Sequence, residues 1–164
     1  DKSIDDRISN QVEMSEDEIG VIVIEGWCFG AEPQFENQLI TPVNELERLK
    51  DPDGTCRRYI NNALATSYPK LFKMAHSTIM LRAPDFDSVF EWRLEQEEKL
   101  IEKLKLTQDE LVGTSVMSKE EIFEFIQSFQ RITEACIERM PAKVNHLLQL
   151  DPQREIIEYR TLNP

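Results

Sequence analysis

The first place in this sequence where chemistry could sit is Glu25-Gly26, at the end of the apolar run Val21-Ile22-Val23-Ile24. A carboxylate there can hold a magnesium-bound water or a substrate hydroxyl, and the glycine lets a second group approach the backbone. Such a glutamate can equally cap a neighbouring helix, and the residues alone leave both uses open. The second candidates are arginines. Arg57, Arg58 and Arg93 fall in helix-forming stretches of an otherwise acidic chain. A guanidinium grips phosphate oxygens in pairs, although ion pairing with abundant surface glutamates is its commoner use. The third set is residues 1–7, DKSIDDR, where Asp1, Lys2, Asp5, Asp6 and Arg7 crowd both signs of charge. They could orient a hydroxylated substrate, while a solvated terminus is the ordinary reading of such a stretch.

Those side chains need a scaffold, and the chain is long enough to supply one. Its 164 residues, 40% of them hydrophobic, suffice for one domain with a real core. The net charge of -12 argues against a general binder of nucleic acid or anionic membrane. It leaves room for one anionic ligand held by a few placed arginines. No apolar run approaches the length of a membrane span, and no signal-peptide pattern is present. The three cysteines, Cys28, Cys56 and Cys136, lack CxxC spacing and fit free thiols in a reducing, cytoplasmic compartment. With only His76 and His146, no zinc-ligand pattern emerges. GxxxxGK[ST], GxGxxG, GxSxG and HExxH are all absent. The chain opens at Asp1 without methionine, which fits a fragment or a processed chain.

The unbroken β-branched run before Glu25 predicts a strand at 19–25, buried on both faces in a parallel sheet, with Glu25 at its ligand-binding carboxyl end. Residues 44–50 (NELERLK) read as a short helix and DPDG at 51–54 as a turn. Thr55 is placed to cap a helix running towards Tyr68, and Pro69 restarts it. STIMLR at 77–82 reads as a second parallel strand ended by Ala83-Pro84. Asp85 or Asp87 can then cap a helix to about Leu106, with Phe86, Phe90, Leu94, Ile101 and Leu104 on one face. Glu97 shares that face, four residues after Arg93, so the two can pair. Ser118 with Glu121 forms a capping box. Ile122, Phe125, Ile126, Phe129, Thr133, Cys136, Ile137 and Met140 then keep helical spacing up to Pro141, and such a stripe normally packs inward. Residues 144–150 and 155–160 read as two closing strands separated by the Asp151-Pro152 turn. The order of strands and helices predicts an α/β layered domain.

DKSIDDR, VIVIEGWCFGAEPQ, TPVNELERLKDPDGTCRRYINNAL, LRAPDFDSVFEWRLEQEEKL and FQRIT together resemble the glycerate kinase-like group of P-loop kinases, related to phosphoribulokinase, uridine kinase and pantothenate kinase. The resemblance spans nearly the whole chain. It implies a three-layer P-loop kinase-like fold, a parallel sheet flanked by helices, present in part. Residues 1–164 would form a single kinase-like domain fragment, about the C-terminal two-thirds of the family domain, with lid helices at about 43–75 and 86–106. It implies ATP-dependent phosphate transfer to a small hydroxylated acceptor such as glycerate, with ATP and Mg2+ as cofactors.

By the same resemblance, Glu25 and Gly26 lie on the magnesium and phosphate side. Arg57 and Arg93 face the transferring phosphate, while Tyr59 and Asn61 of the Arg-x-Tyr-x-Asn pattern serve the substrate. Asp1, Lys2 and Ser3, then Asp5, Asp6 and Arg7, lie near the acceptor. Cys56 stands where the family often has tryptophan, which implies altered lid packing. The family's phosphate-binding loop and its following Asp-Asp segment precede the DKS segment and are not in this sequence. The isolated chain is therefore expected to have negligible activity. A non-enzymatic split product acting as a binding module is the alternative, and an exposed sheet edge would allow self-association.

Overall fold

The computed structural model describes residues 20–104 and 116–162. Five helices are described: α1 (Glu45–Lys50), α2 (Thr55–Thr66), α3 (Tyr68–Phe72), α4 (Phe86–Leu104) and α5 (Lys119–Arg139). Three strands accompany them: β1 (Ile79–Arg82), β2 (His146–Leu150) and β3 (Ile156–Thr161).

The longest helix, α5, forms where the spacing predicts it. Ser118 accepts the Glu121 N–H, and the Glu121 carboxylate returns to the Ser118 N–H at 2.8 Å, completing the capping box. That reciprocal bond satisfies two amides that the helix cannot pair internally. Its inward face carries Ile122, Ile126, Ala135 and Cys136. Ile122 is fully buried, and each aliphatic side chain so buried contributes about 1.5–3 kcal/mol. Phe125, expected on that face, is instead exposed and lies against Phe129, with ring centroids 5.0 Å apart.

Helix α4 is capped by Asp85, whose carboxylate accepts from the Ser88 N–H and hydroxyl, each at 2.7 Å. The cap of α1 is Asn44, which accepts from the Glu47 N–H. The sequence places Thr55 as the cap of α2, and the structure does not. The cap is Gly54, in the left-handed region at φ 77°, and Thr55 is the first helical residue. The glycine is needed twice over, because a Cβ there would also lie 3.0 Å from the Arg57 guanidinium carbon.

The sheet order is β1-β2-β3. β1 and β2 are parallel, as the sequence predicts, in a register that sets Met80 opposite Leu147 and Leu81 opposite Leu148. β3 returns antiparallel, because the short turn after Leu150 cannot make the crossover that a parallel strand requires. The sheet is thus mixed, flanked by helices: a partial α/β domain. Leu147 points into the core, whereas Ile79, Leu81, Ile157 and Tyr159 are exposed on the opposite face.

The expected strand at 19–25 is not formed among the described residues. Residues 21–26 carry no strand assignment, and Val21, Ile22, Val23 and Ile24 are 81, 72, 85 and 51% exposed. A strand buried on both faces is a property of its neighbours, and no described strand lies beside this run. No described helix is long and apolar enough to cross a membrane.

Candidate functional site

After residue 26 the chain turns sharply, with Phe29 N–H donating to the Gly26 carbonyl at 3.1 Å and Ala31 N–H to the Cys28 carbonyl at 2.9 Å. The turn is pinned onto α5 by side chains. Trp27 packs edge-on against Phe129, with centroids 5.0 Å apart. Cys28 and Ala31 join a small apolar cluster with Leu64 and Cys136. Burial pushes the Cys28 thiol up and the Cys136 thiol up to about 11, so both remain neutral and act as apolar filler. Glu25 stands at the head of this turn, exposed and without a side-chain partner among the described residues.

The segment from Gln34 to Thr41 is held by a clamp with two jaws. One jaw is α2, where Arg57 and Asn61, four residues apart, share a face. Arg57 Nε donates to the Leu39 carbonyl at 2.6 Å and Nη2 to the Ile40 carbonyl at 3.2 Å. Asn61 accepts from the Gln34 N–H at 2.7 Å and donates to the Gln34 carbonyl at 3.1 Å. The other jaw is Arg131 of α5, which donates to the carbonyls of Gln38 at 2.9 Å and Thr41 at 2.8 Å. A short helical turn at Glu36–Leu39 brings these carbonyls within reach, and Leu39 is buried beneath them at 1% exposure.

Each jaw arginine carries a carboxylate partner, Asp51 buried and Glu47 half-buried. Arg57 pairs with Asp51 at 3.1 Å, and Arg131 pairs with Glu47 through two bonds of 2.7 and 2.6 Å. Burial alone would raise the Asp51 carboxyl. The N–H groups of Cys56 at 2.7 Å and Arg57 at 3.1 Å, with the Arg57 guanidinium, outweigh it and hold Asp51 below its ordinary value. Glu47 behaves alike: burial pushes it up, and the Arg131 guanidinium and the Val43 N–H bring it down further. No buried side-chain nitrogen or oxygen of the described residues lacks a partner, so these charges are fully compensated. Between the jaws lies a cavity of about 50 Å3, bordered by Arg57, Asn61, Leu64, Arg131 and Ile132. It has room for a water or two.

The structure therefore brings Arg57 and Asn61 together and turns both inward onto backbone. Tyr59, between them, points outward and is 76% exposed. Arg58 pairs with Glu36 on the surface at 2.6 Å. Arg93 pairs with Glu97 as its spacing predicts, and also donates to Gln96 at 3.2 Å. Glu97 is 1% exposed, so α4 carries a buried carboxylate against a largely covered guanidinium. No described contact joins Arg93 to Glu25 or Arg57. Asp1, Lys2, Ser3, Asp5, Asp6 and Arg7 lie outside the described residues.

Sequence reasoning missed Arg131, Glu47 and Asp51. A signal for Arg131 existed: Gln127, Arg131 and Ala135 follow at intervals of four along the buried edge of α5. Polar residues on such a line need partners inside. Gln127 finds its partner in α1, accepting the Leu46 N–H at 2.9 Å.

No protein-family model matches the chain. It is 27% identical over 108 residues to a Schizosaccharomyces pombe protein described as the uncharacterized kinase mug58, a match covering 66% of this chain and 35% of that protein. Its fold is similar to that of D-glycerate 3-kinase from Cryptococcus neoformans, with a TM-score of 0.62 and 19% identity, over 84% of this chain and 48% of that one. A weaker likeness, TM-score 0.47 at 17% identity, is to the YGR205w protein, over 84% of this chain and 47% of that one. The chain thus spans about a third to a half of the length of the proteins it matches. Its fold is that of a glycerate kinase-like kinase, in part.

Proposed function

We propose that this chain forms the acceptor- and lid-bearing part of an ATP-dependent kinase that phosphorylates a small hydroxylated acceptor, glycerate being the first to test. The single observation that carries the reading is the fold likeness to D-glycerate 3-kinase over 84% of this chain. The exposed Glu25-Gly26 turn supports it as the place for the phosphates.

Magnesium needs only one or two protein carboxylates when phosphate oxygens and water complete its shell. Glu25, exposed and free of a described partner, fits one such position. Bound there, the ion would neutralise charge on phosphate oxygens. The described residues fit a whole triphosphate less well. The buried arginines Arg57 and Arg131 donate to backbone carbonyls and carboxylates, and the sequence holds no GxxxxGK[ST] loop. In this reading Arg57 and Asn61 position the lid by fixing the 34–41 segment. Arg93 is held ready by Glu97, and Tyr59 is left outward for the substrate. Residues 1–7 serve the acceptor, in a reducing, cytoplasmic setting. The chain alone has negligible activity, and its open apolar surface lets it self-associate.

The test is coupled ADP release from a polypeptide joining this sequence to a phosphate loop, offered a panel of hydroxy acids and nucleosides. Turnover on glycerate, with kcat falling at least tenfold in Glu25→Gln while acceptor KM holds, is the expected result. Turnover on another acceptor alone would overturn the glycerate assignment and keep the kinase class. No turnover on any acceptor would favour the non-enzymatic reading.

A further inference from the structure

The turn that joins β2 to β3 holds a residue in a conformation its type rarely takes. Arg154 has φ 68° and is the only non-glycine residue with positive φ among the described residues. Its N–H donates to the Asp151 carbonyl at 2.9 Å, and the Asp151 N–H donates to the Glu155 carbonyl at 3.0 Å. With the register shift at Gln149/Leu150, this is a bulged turn whose left-handed position ordinarily takes glycine. The side chain shows what arginine supplies there. Its guanidinium lies 5.9 Å from the Trp92 ring centroid and pairs with Glu95, both on α4. Trp92 completes the contact from its own side, its Nε1–H donating to the Pro152 carbonyl at 2.6 Å.

This contact fastens α4 at the end of the sheet where α/β folds bind ligands. α4 follows β1 and the turn follows β2, so both lie beyond the carboxyl ends of the two parallel strands. Trp92 and Glu95 share the side of α4 that meets the turn. Arg93 and Glu97 share another side, where Glu97 is buried. A rotation of α4 about its axis that freed Trp92 would therefore swing Arg93. We propose that Arg154 is a positioning residue: through Trp92 and Glu95 it sets how α4 is turned about its axis, and so where Arg93 points. What Arg93 then touches, a phosphate of the substrate, rests on the function proposed above. Glycine at 154 would relax the turn and release α4.

Arg154→Gly removes the side chain without straining the backbone, so the turn should survive. In a Trp27→Phe background Trp92 is the one remaining tryptophan. There Arg154→Gly should shift Trp92 emission to the red and raise its quenching by acrylamide, with circular dichroism unchanged. In the polypeptide joined to a phosphate loop, Arg154→Gly should lower kcat about tenfold while acceptor KM holds. Arg93→Gln should lower kcat too, and adding Arg154→Gly to that variant should cause no further loss. Trp92 emission and quenching indifferent to Arg154→Gly would overturn the proposal and leave the kinase reading intact. So would an Arg154→Gly loss that persists undiminished beside Arg93→Gln, as a purely structural role would give. A joined polypeptide inactive on every acceptor, with Trp92 still responding, would overturn the kinase reading and the role of Arg93 with it, leaving Arg154 a structural contact.

Discussion

The clamp around residues 34–41 and the region formed by residues 21–24 with β1 are opposites. The clamp is built from polar and charged groups, yet it is buried and every partner is present. The other region is built from the most hydrophobic residues of the chain, yet it lies open. Burial here follows whether an element finds its neighbours within the chain, and hydrophobicity alone does not decide it. Arg57 and Arg131 each reach backbone carbonyls and a carboxylate. Residues 21–24 and the outer edge of β1 have no backbone partner among the described residues. The clamp is therefore where stability is concentrated.

The largest effect should come from breaking one jaw. Arg131→Ala leaves the half-buried Glu47 without its cation and the Gln38 and Thr41 carbonyls without their donor, and should cost about 3 kcal/mol, read by urea denaturation. Next is Gly54→Ala. It forces a side chain into the left-handed region against Arg57, for about 1–3 kcal/mol by the same measurement.

The third is pH. Asp51 and Glu47 are held below their ordinary values of 3.8 and 4.5. Their contribution is fully present above those values and is lost as pH falls through the lowered ones. Thermal melts should hold level from neutral pH down to about 5 and then fall. The double variant Asp51→Asn/Glu47→Gln should start lower and show a shallower acid limb. Ser118→Ala should cost about 1 kcal/mol through loss of the capping box. Smallest is Arg58→Ala, whose pair with Glu36 is exposed and should leave the denaturation midpoint unmoved.

Local features were legible in the sequence. The α5 spacing and its capping box, the Arg93–Glu97 pair, β1 and the closing strand pair all rest on residues a few positions apart. Two kinds of feature were not. The strand reading at 19–25 took intrinsic β preference for burial, and burial needs neighbours the described residues do not supply. The clamp depends on contacts across 84 residues, as between Arg131 and Glu47, which no local pattern encodes. For Arg57 the resemblance marked the position, but phosphate was the expected partner where the structure gives it the Leu39 and Ile40 carbonyls and Asp51. Asp51 was read only as part of a turn. It lies just ahead of α2 and accepts from the Cys56 and Arg57 N–H groups, an anion at a helix N-terminus.

The proposed reading is that these residues form the lid- and acceptor-side part of a glycerate kinase-like kinase and hold no complete grip on a nucleotide. Calorimetric titration of ATP with magnesium into the folded chain tests it most directly. The account predicts no saturable heat up to millimolar nucleotide, whereas binding at micromolar Kd, about -8 kcal/mol, would contradict it.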